Sequence, residues 1–271
     1  MSRNTNGVGQ QRRLEYIRDQ LSRAGEVEIH GLAQRLSVSE MTIRRDLAIL
    51  ESEGQVLRTH GGAASAKRFT FEFTFRSQQK EHQDKKRAIA ARAASEIRDG
   101  QVIILDTGTT TLEIARAIRD RRNLKVITTS LAIVSELQFA HGIQTILLGG
   151  YLREGSPDLC GPLAEQNLST LQADVAFIGA DAIDAKGNVY TDDLSLVNLD
   201  RKMASVSARV IVVANSSKFH RRAMCKILGP GDYDTLMTDD ALDPRRARKL
   251  EKQGVTLEIV PASATSTSGR R

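Results

Sequence analysis

The chain has 271 residues, 40% of them hydrophobic, with 39 basic against 33 acidic side chains and a formal charge of +6. That length holds more than one ordinary domain and fewer than three, and the apolar share excludes wholesale disorder. Cys160 and Cys225 lie far apart in sequence, which excludes a disulfide framework or a zinc cluster and suits a reducing cytoplasm.

Residues 1–10 are polar and glycine-rich and are expected to be flexible. No apolar stretch follows them as in a signal peptide, and the longest apolar runs, such as 210–214, are too short to span a bilayer; a cytoplasmic protein with no membrane partner is expected. Leu14, Ile17 and Leu21 recur at helical spacing, and Gly25 ends that helix. Val27 and Ile29 suit a short strand, and 31–36 a brief helix with Leu32, Ala33 and Leu36 on one side. Ser37 with Glu40 has the form of a capping box and Ser39 is the alternative N-cap, so a further helix begins here. Ile43, Leu47 and Leu50 point inward; the opposite face carries Met41, Arg45, Ala48 and Ser52, flanked by Thr42 and Arg44. Guanidinium groups near the N-terminal half, with small side chains behind them, suit entry into a major groove about 12 Å wide. Gly54 closes the helix. Residues 55–58 and the Gly61-Gly62 pair suggest a small β wing that exposes Arg58 and His60 to phosphate or minor groove.

Two adjacent arginines by themselves are usually a solvated face. The ordered set of three helices and a wing is the stronger signal. Arginines and carboxylates nearly balance over the first sixty residues, so placement and not bulk charge must carry any DNA contact.

Residues 64–80 read as a linker, in which FTFEFTF suits one strand packing its Phe face into a second core. From Lys80 onward helices and strands alternate. Ile89, Ala93 and Ile97 mark a helix; strands are expected at 102–105, 126–129, 145–148, 175–178, 210–214, 236–238 and 256–260, with helices at 111–118, 131–137, 163–171, 194–207 and 245–252. Such alternation argues an α/β domain with a mainly parallel sheet. The organisation is thus a head over 11–63, a linker, an effector-binding and oligomerisation domain over 81–260, and a disordered tail at 261–271.

Ligands of such sheets gather beyond the carboxyl ends of the strands. The first strand is followed by Asp106, Thr107, Gly108, Thr109 and Thr110, opening a helix whose free amides and hydroxyls suit an anion. Ser130 closes a Thr-Thr-Ser run after the second strand; Gly149, Gly150 and Arg153 follow the third, Asp181 and Asp184 the fourth, and Lys218 the fifth. Each alone reads equally as a cap, a turn or a solvated lysine. Five at successive strand ends describe a cleft for a small polyhydroxylated anion, with no recognisable catalytic set, metal site or cofactor motif.

These segments resemble a known family. Ser37-Val38-Ser39, Thr42-Ile43-Arg44-Arg45-Asp46-Leu47, Gly54 and Arg58-Thr59-His60-Gly61-Gly62-Ala63 resemble the DNA-binding signature of DeoR-type bacterial transcriptional regulators. LDTGTTTLEIARAI, LGGYLRE, GPLAEQNL, DVAFIGADAID, NSSKF and LMTDD resemble the effector domain of the same regulators, so the likeness runs over roughly residues 11–260. The resemblance implies a winged helix-turn-helix head that places Ser39, Met41, Thr42, Arg44, Arg45, Arg58 and His60 against double-stranded operator DNA. It also implies an α/β domain similar to ribose-5-phosphate isomerase, a homo-oligomer, and a phosphorylated sugar or sugar-alcohol effector acting on a repressor.

The alternative is a sugar-phosphate isomerase or deaminase with a fused head. Ala182 stands where the isomerase pattern has a carboxylate, and the loop AKGNVYTDD lacks the isomerase glycine run, which leaves no complete set for moving a proton between carbons. A third reading makes the domain an oligomerisation scaffold only. Within the regulator pattern, Leu196 and Asp200 stand where an acidic residue and then a lysine are common, and Asn215 where Asp is usual. These departures fall at the sugar end of the expected pocket; 106–110 match unaltered.

Overall fold

The computed structural model describes residues 9–53, 55–59, 61–65, 75, 78–153 and 155–262. The expectations for His60, for Gly54 as a helix stop, for nearly all of FTFEFTF, and for the first eight and last nine residues lie outside the described residues. The chain forms two compact units, Met1–Ser77 and Gln78–Arg271.

In the first unit, α1 (Gln10–Ala24) ends where Gly25 turns left-handed at φ 78°. Then come β1 (Glu26–Glu28), α2 (Ile29–Leu36), α3 (Glu40–Ser52), β2 (Val56–Thr59) and β3 (Gly62–Ser65). Ile29 opens α2 instead of closing a strand, because with Leu32, Ala33 and Leu36 it completes one buried helical stripe. Ser37 takes a left-handed conformation (φ 52°) that stops α2, which leaves Ser39 to cap α3. β3 lies between β1 and β2, antiparallel to both. A Cβ on Gly62 would sit 1.9 Å from the Val27 carbonyl oxygen, so the approach of β1 demands glycine there. β3 runs to Ser65, two residues into the stretch whose composition reads as linker.

Ile17, Ile43, Leu47 and Leu50 form the centre of this unit, each with no exposed surface. Asp46 is buried among them at 1% exposure and accepts two hydrogen bonds from the Arg13 guanidinium, at 2.7 and 3.1 Å. This fork ties α1 to α3 and holds the Arg13 pKa above its ordinary value.

The second unit is built on a seven-stranded sheet. Its strands are β4 (Val102–Leu105), β5 (Leu124–Thr128), β6 (Ile143–Leu147), β9 (Ala173–Ile178), β12 (Ser207–Val213), β14 (Thr235–Asp239) and β15 (Leu257–Val260). The order across the sheet is β6-β5-β4-β9-β12-β14-β15, and every neighbouring pair is parallel. Its helices are α4 (Gln83–Ser95), α5 (Thr109–Ala117), α6 (Leu131–Leu137), α7 (Pro162–Leu168), α8 (Val197–Ser205) and α9 (Pro244–Lys252). The central strands are apolar on both faces, with Ile103, Ile104, Leu105, Phe177 and Ile211 fully buried, as a parallel sheet covered on both sides requires.

Two antiparallel excursions were not legible in the pattern. One is the hairpin of β7 (Tyr151–Leu152) and β8 (Leu159–Cys160); the other is a small sheet of β10 (Ala182–Ile183), β11 (Val189–Thr191) and β13 (Cys225–Leu228). Both lie in segments that follow carboxyl ends of the main strands. The chain moves outward from β4 through β5 to β6, then returns to β9 on the other side of β4. The β4/β9 boundary is therefore the topological switch point, where an open α/β sheet leaves a crevice.

Replacing Asp46 by Ala removes the buried carboxylate that ties α1 to α3. Far-UV circular dichroism of the urea-titrated chain is expected to show a loss of about 3 kcal/mol in the transition of the first unit.

Candidate nucleic-acid interface and effector cleft

In the head, α2 and α3 make the helix-turn-helix and β2–β3 the wing. The α3 N-terminus is capped by Ser39, whose Oγ accepts the Thr42 backbone N–H at 3.2 Å and lies 2.9 Å from the Thr42 hydroxyl. The structure thus assigns Ser39 and Thr42 to the cap. Met41 is 59% exposed, and Arg44, Arg45 and Arg58 are exposed. Arg44 lies 3.8 Å from Glu40 one turn earlier, a surface pair of little energetic weight. Among the described residues no ion pair engages Arg45 or Arg58.

In the second unit the crevice is built around Asp106, at the end of β4. Its Oδ2 accepts the Gly179 N–H at 2.9 Å across the switch point, and Oδ1 accepts the Thr107 N–H. Burial pushes the Asp106 carboxyl above its ordinary pKa, beyond what those two bonds offset, with Asp158 and Asp181 adding to the rise. The Thr111 hydroxyl donates within the turn, to the Asp106 and Gly108 carbonyls at 2.6 and 2.7 Å. Gly108 is the N-cap of α5 and no side chain caps the helix, so the amides of Thr109, Thr110 and Thr111 face the crevice unclaimed. An anion is the natural partner of such a terminus.

The unit also buries cations. Lys218 lies 3.9 Å from Asp181, and burial lowers its pKa against the opposing pull of Asp181. Lys86, on α4, is 3% exposed; burial and the nearby Lys218 lower its pKa to about 8, with Glu81 and Glu113 opposing. Its ammonium donates to the Gln78 carbonyl. Beside it, Lys85 pairs with the fully buried Asp239 at 3.0 Å and donates to the Ser216 hydroxyl at 2.9 Å.

Several expected ligand groups already have partners within the chain. Arg153 is not a free cation: Nε and Nη2 bind both oxygens of Asp158 at 2.8 and 2.6 Å, Nη1 binds Asp193 at 2.8 Å, and Nη2 also donates to Ser156 at 2.8 Å. Its pKa is raised, since these bonds outweigh its burial. Asp184 closes the β10–β11 turn, accepting from the Lys186 and Asn188 amides at 2.8 and 2.9 Å, from Asn188 Nδ2 at 2.8 Å and from the Tyr190 hydroxyl at 3.1 Å. Ser130 Oγ caps α6 by accepting the Ile133 N–H at 3.3 Å. Gly150 admits the β7–β8 hairpin, since a Cβ there would stand 2.5 Å from the Cys160 carbonyl oxygen, whereas a Cβ on Gly149 would make ordinary contact with Asn167 and Leu163 at 3.6 Å. Asp181 keeps one oxygen for Thr191 and the Asp192 amide, at 3.2 and 3.1 Å, and turns the other toward Lys218. The crevice itself therefore gathers Asp106, Thr107, Gly108, Thr109, Thr110, Asp181 and Lys218, joined by Lys86.

Comparison with known proteins agrees with both units. Residues 13–69 match the family model of the DeoR-like helix-turn-helix domain, and residues 81–240 that of the DeoR C terminal sensor domain. The chain belongs to the DeoR family. It is 34% identical over 270 residues to the putative aga operon transcriptional repressor of Escherichia coli O157:H7, covering 95% of this chain and 98% of that protein. It is 31% identical over 255 residues to the lactose phosphotransferase system repressor of Lactococcus lactis subsp. lactis, covering 93% of this chain and 99% of that one. Among solved structures, the ribose 5-phosphate isomerase from Plasmodium falciparum aligns over 49% of this chain and 52% of its own, at 20% identity and a TM-score of 0.36. The DeoR-family chain is accordingly a DNA-binding transcriptional regulator with a C-terminal sensor domain. Among its described residues no helix is long and apolar enough to cross a membrane.

Asp46, Lys86 and Asp158 are the site and clamp residues that sequence reasoning passed over. Lys86 carried a usable signal, a lysine three residues before Ile89 on the buried face of α4. Asp46 had the same signal, three residues after Ile43 on α3. Asp158 had none, because its partner Arg153 meets it only when the hairpin folds. Arg153→Met leaves the fully buried Asp158 uncompensated, and a loss of about 3–5 kcal/mol in the unfolding of the sensor unit is expected at pH 7 by calorimetry.

Proposed function

We propose that this DeoR-family regulator is a repressor of a sugar or carbohydrate-metabolism operon, released from or tightened on its operator by a phosphorylated sugar or sugar-alcohol bound at the β4/β9 crevice. The observation that carries this reading is the uncapped α5 N-terminus in a unit that also buries two interacting lysines, Lys86 and Lys218. A phosphate dianion there accepts from the Thr109–Thr111 amides and restores charge balance to both ammonium groups. Hydroxyls of the sugar then lie toward Asp106 and Asp181. The aga and lactose operons in the names of two relatives support a carbohydrate role.

The chain acts as a binder and not as a catalyst. Asp184, the carboxylate that an isomerase reading would enlist as a base, is held by its own turn. The effector alters operator affinity by binding the DNA-competent and DNA-released states unequally. Repeated half-sites in the operator call for a homo-oligomer of the chain in the cytoplasm. On the DNA side, Arg45 reads bases from α3, Arg58 binds phosphate from the wing, and Met41, Arg44 and His60 complete the contact.

Gel-shift titration tests the head. Arg45→Ala is expected to cost about 1–3 kcal/mol of operator binding and to relax sequence preference; Arg58→Ala weakens all sequences alike and lowers the salt slope by about 1. If both variants match the wild type, the groove assignment fails.

Thermal shift against a panel of sugar phosphates tests the sensor. A ligand at a hundred times its Kd stabilises by about 2.7 kcal/mol and raises the melting temperature by several degrees. Affinity falls as the pH rises through about 8, where Lys86 gives up its proton, and Lys86→Met removes that fall. A flat panel sinks the effector assignment.

A further inference from the structure

The crevice is unevenly charged. Near the α5 N-terminus it has Lys86 and unclaimed amides; beyond Asp106 it has a surplus of carboxylates. Asp200, on α8, stands at the centre of that surplus. Its side chain is 3% exposed and its Oδ1 has no hydrogen-bond partner. The charges that act on it are Asp106 from the end of β4, Asp181 from the end of β9, Asp158 from the hairpin segment, and the opposing Arg153.

Neither nearby cation is free to serve it. Arg153 is divided between Asp158 and Asp193, and Lys218 faces Asp181. Five carboxylates, Asp106, Asp158, Asp181, Asp193 and Asp200, thus share two cations. A buried acceptor without a donor is unfavourable, and a buried carboxyl among other carboxylates keeps its proton.

We infer that the effector carries an amino group at the end away from its phosphate, and that Asp200 is the residue that binds the ammonium and distinguishes it from a hydroxyl. This inference rests on the crevice being a sugar-phosphate site, and it names the class: an amino-sugar phosphate. A hydroxyl donates to the idle oxygen but leaves the carboxylate surplus in place. An ammonium does both, donating N–H to Oδ1 and supplying the missing positive charge. A metal ion fits less well, because among the described residues no three His, Cys, Asp or Glu side chains are grouped to hold one. The proton balance is simple. The buried Asp200 acid releases one proton to solvent as its carboxylate pairs with the incoming ammonium, and no covalent bond is made or broken.

The test is calorimetric titration of the full chain and of Asp200→Asn with matched pairs, glucosamine 6-phosphate against glucose 6-phosphate and galactosamine 6-phosphate against galactose 6-phosphate. In at least one pair the amine is expected to bind the wild type roughly tenfold more tightly, and Asp200→Asn to bring the ratio near unity. Titration in two buffers of different ionisation enthalpy, at a pH where the amine is already protonated, should show the wild type releasing more protons with the amine than with its hydroxyl counterpart. That proton count decides the matter in the wild type even if the variant does not fold.

Equal affinity within each pair, a preference for the hydroxyl, an excess proton release of zero, or an amine preference that survives Asp200→Asn each overturns the inference while leaving the sugar-phosphate reading intact. Binding of no sugar phosphate by protein that still shifts operator DNA overturns that reading and this inference with it.

Discussion

One hydrogen bond across the middle of the main sheet organises the sensor unit: the Gly179 N–H donates to Asp106 at 2.9 Å. It joins the carboxyl ends of the two strands between which the chain reverses its course across the sheet. At such a point the connections leave in opposite directions and a crevice opens. The carboxylate closes the floor of that crevice, and its second oxygen turns the backbone at Thr107 into α5. With Gly108 at the cap position, the first amides of α5 are left facing outward. The fold thus leaves main-chain donors at this point, and the side chains around it adjust the charge.

Charge in this protein is handled by long-range pairing. Asp46 meets Arg13 from the other end of the head, Asp158 meets Arg153 across its hairpin, and Asp239 meets Lys85 from α4. In each case a buried carboxylate is supplied with a cation from another segment. Pairs of this kind add little net stability against an apolar replacement, yet the loss of one partner is severely unfavourable, so they specify one arrangement of elements. Asp200 breaks the pattern, a buried carboxyl with one oxygen that has no hydrogen-bond partner.

The head follows a different rule. Its basic and acidic residues nearly cancel, and several arginines are already engaged: Arg13 by Asp46, Arg18 by Glu53, Arg23 by Asp19. The exposed cations on α3 and the wing differ, and Arg45 and Arg58 stand without ion-pair partners among the described residues.

The sequence by itself determined the two-unit plan, the helix-turn-helix with its wing, the alternation that builds a parallel sheet, and the polar turn at Asp106 to Thr110 that opens α5. These are local signals: hydrophobic periodicity, caps and glycines act over a few residues and are readable there. Boundaries shifted where two local signals competed, as when Ile29 joined the buried stripe of α2 and Ser39, not Ser37, capped α3. What only the tertiary structure decided was which polar groups remain available. Arg153, Asp184 and Ser130 looked like ligand groups by position, yet each is occupied by a partner that folding brings to it. Lys86 and Asp200 looked like ordinary helix residues, yet packing buries them beside the crevice. The reason is that a side chain's chemistry is set by its dielectric surroundings and its neighbours, and folding fixes both, through close turns as at Ser130 and Asp184 and through packing between remote segments as at Asp106 and Gly179.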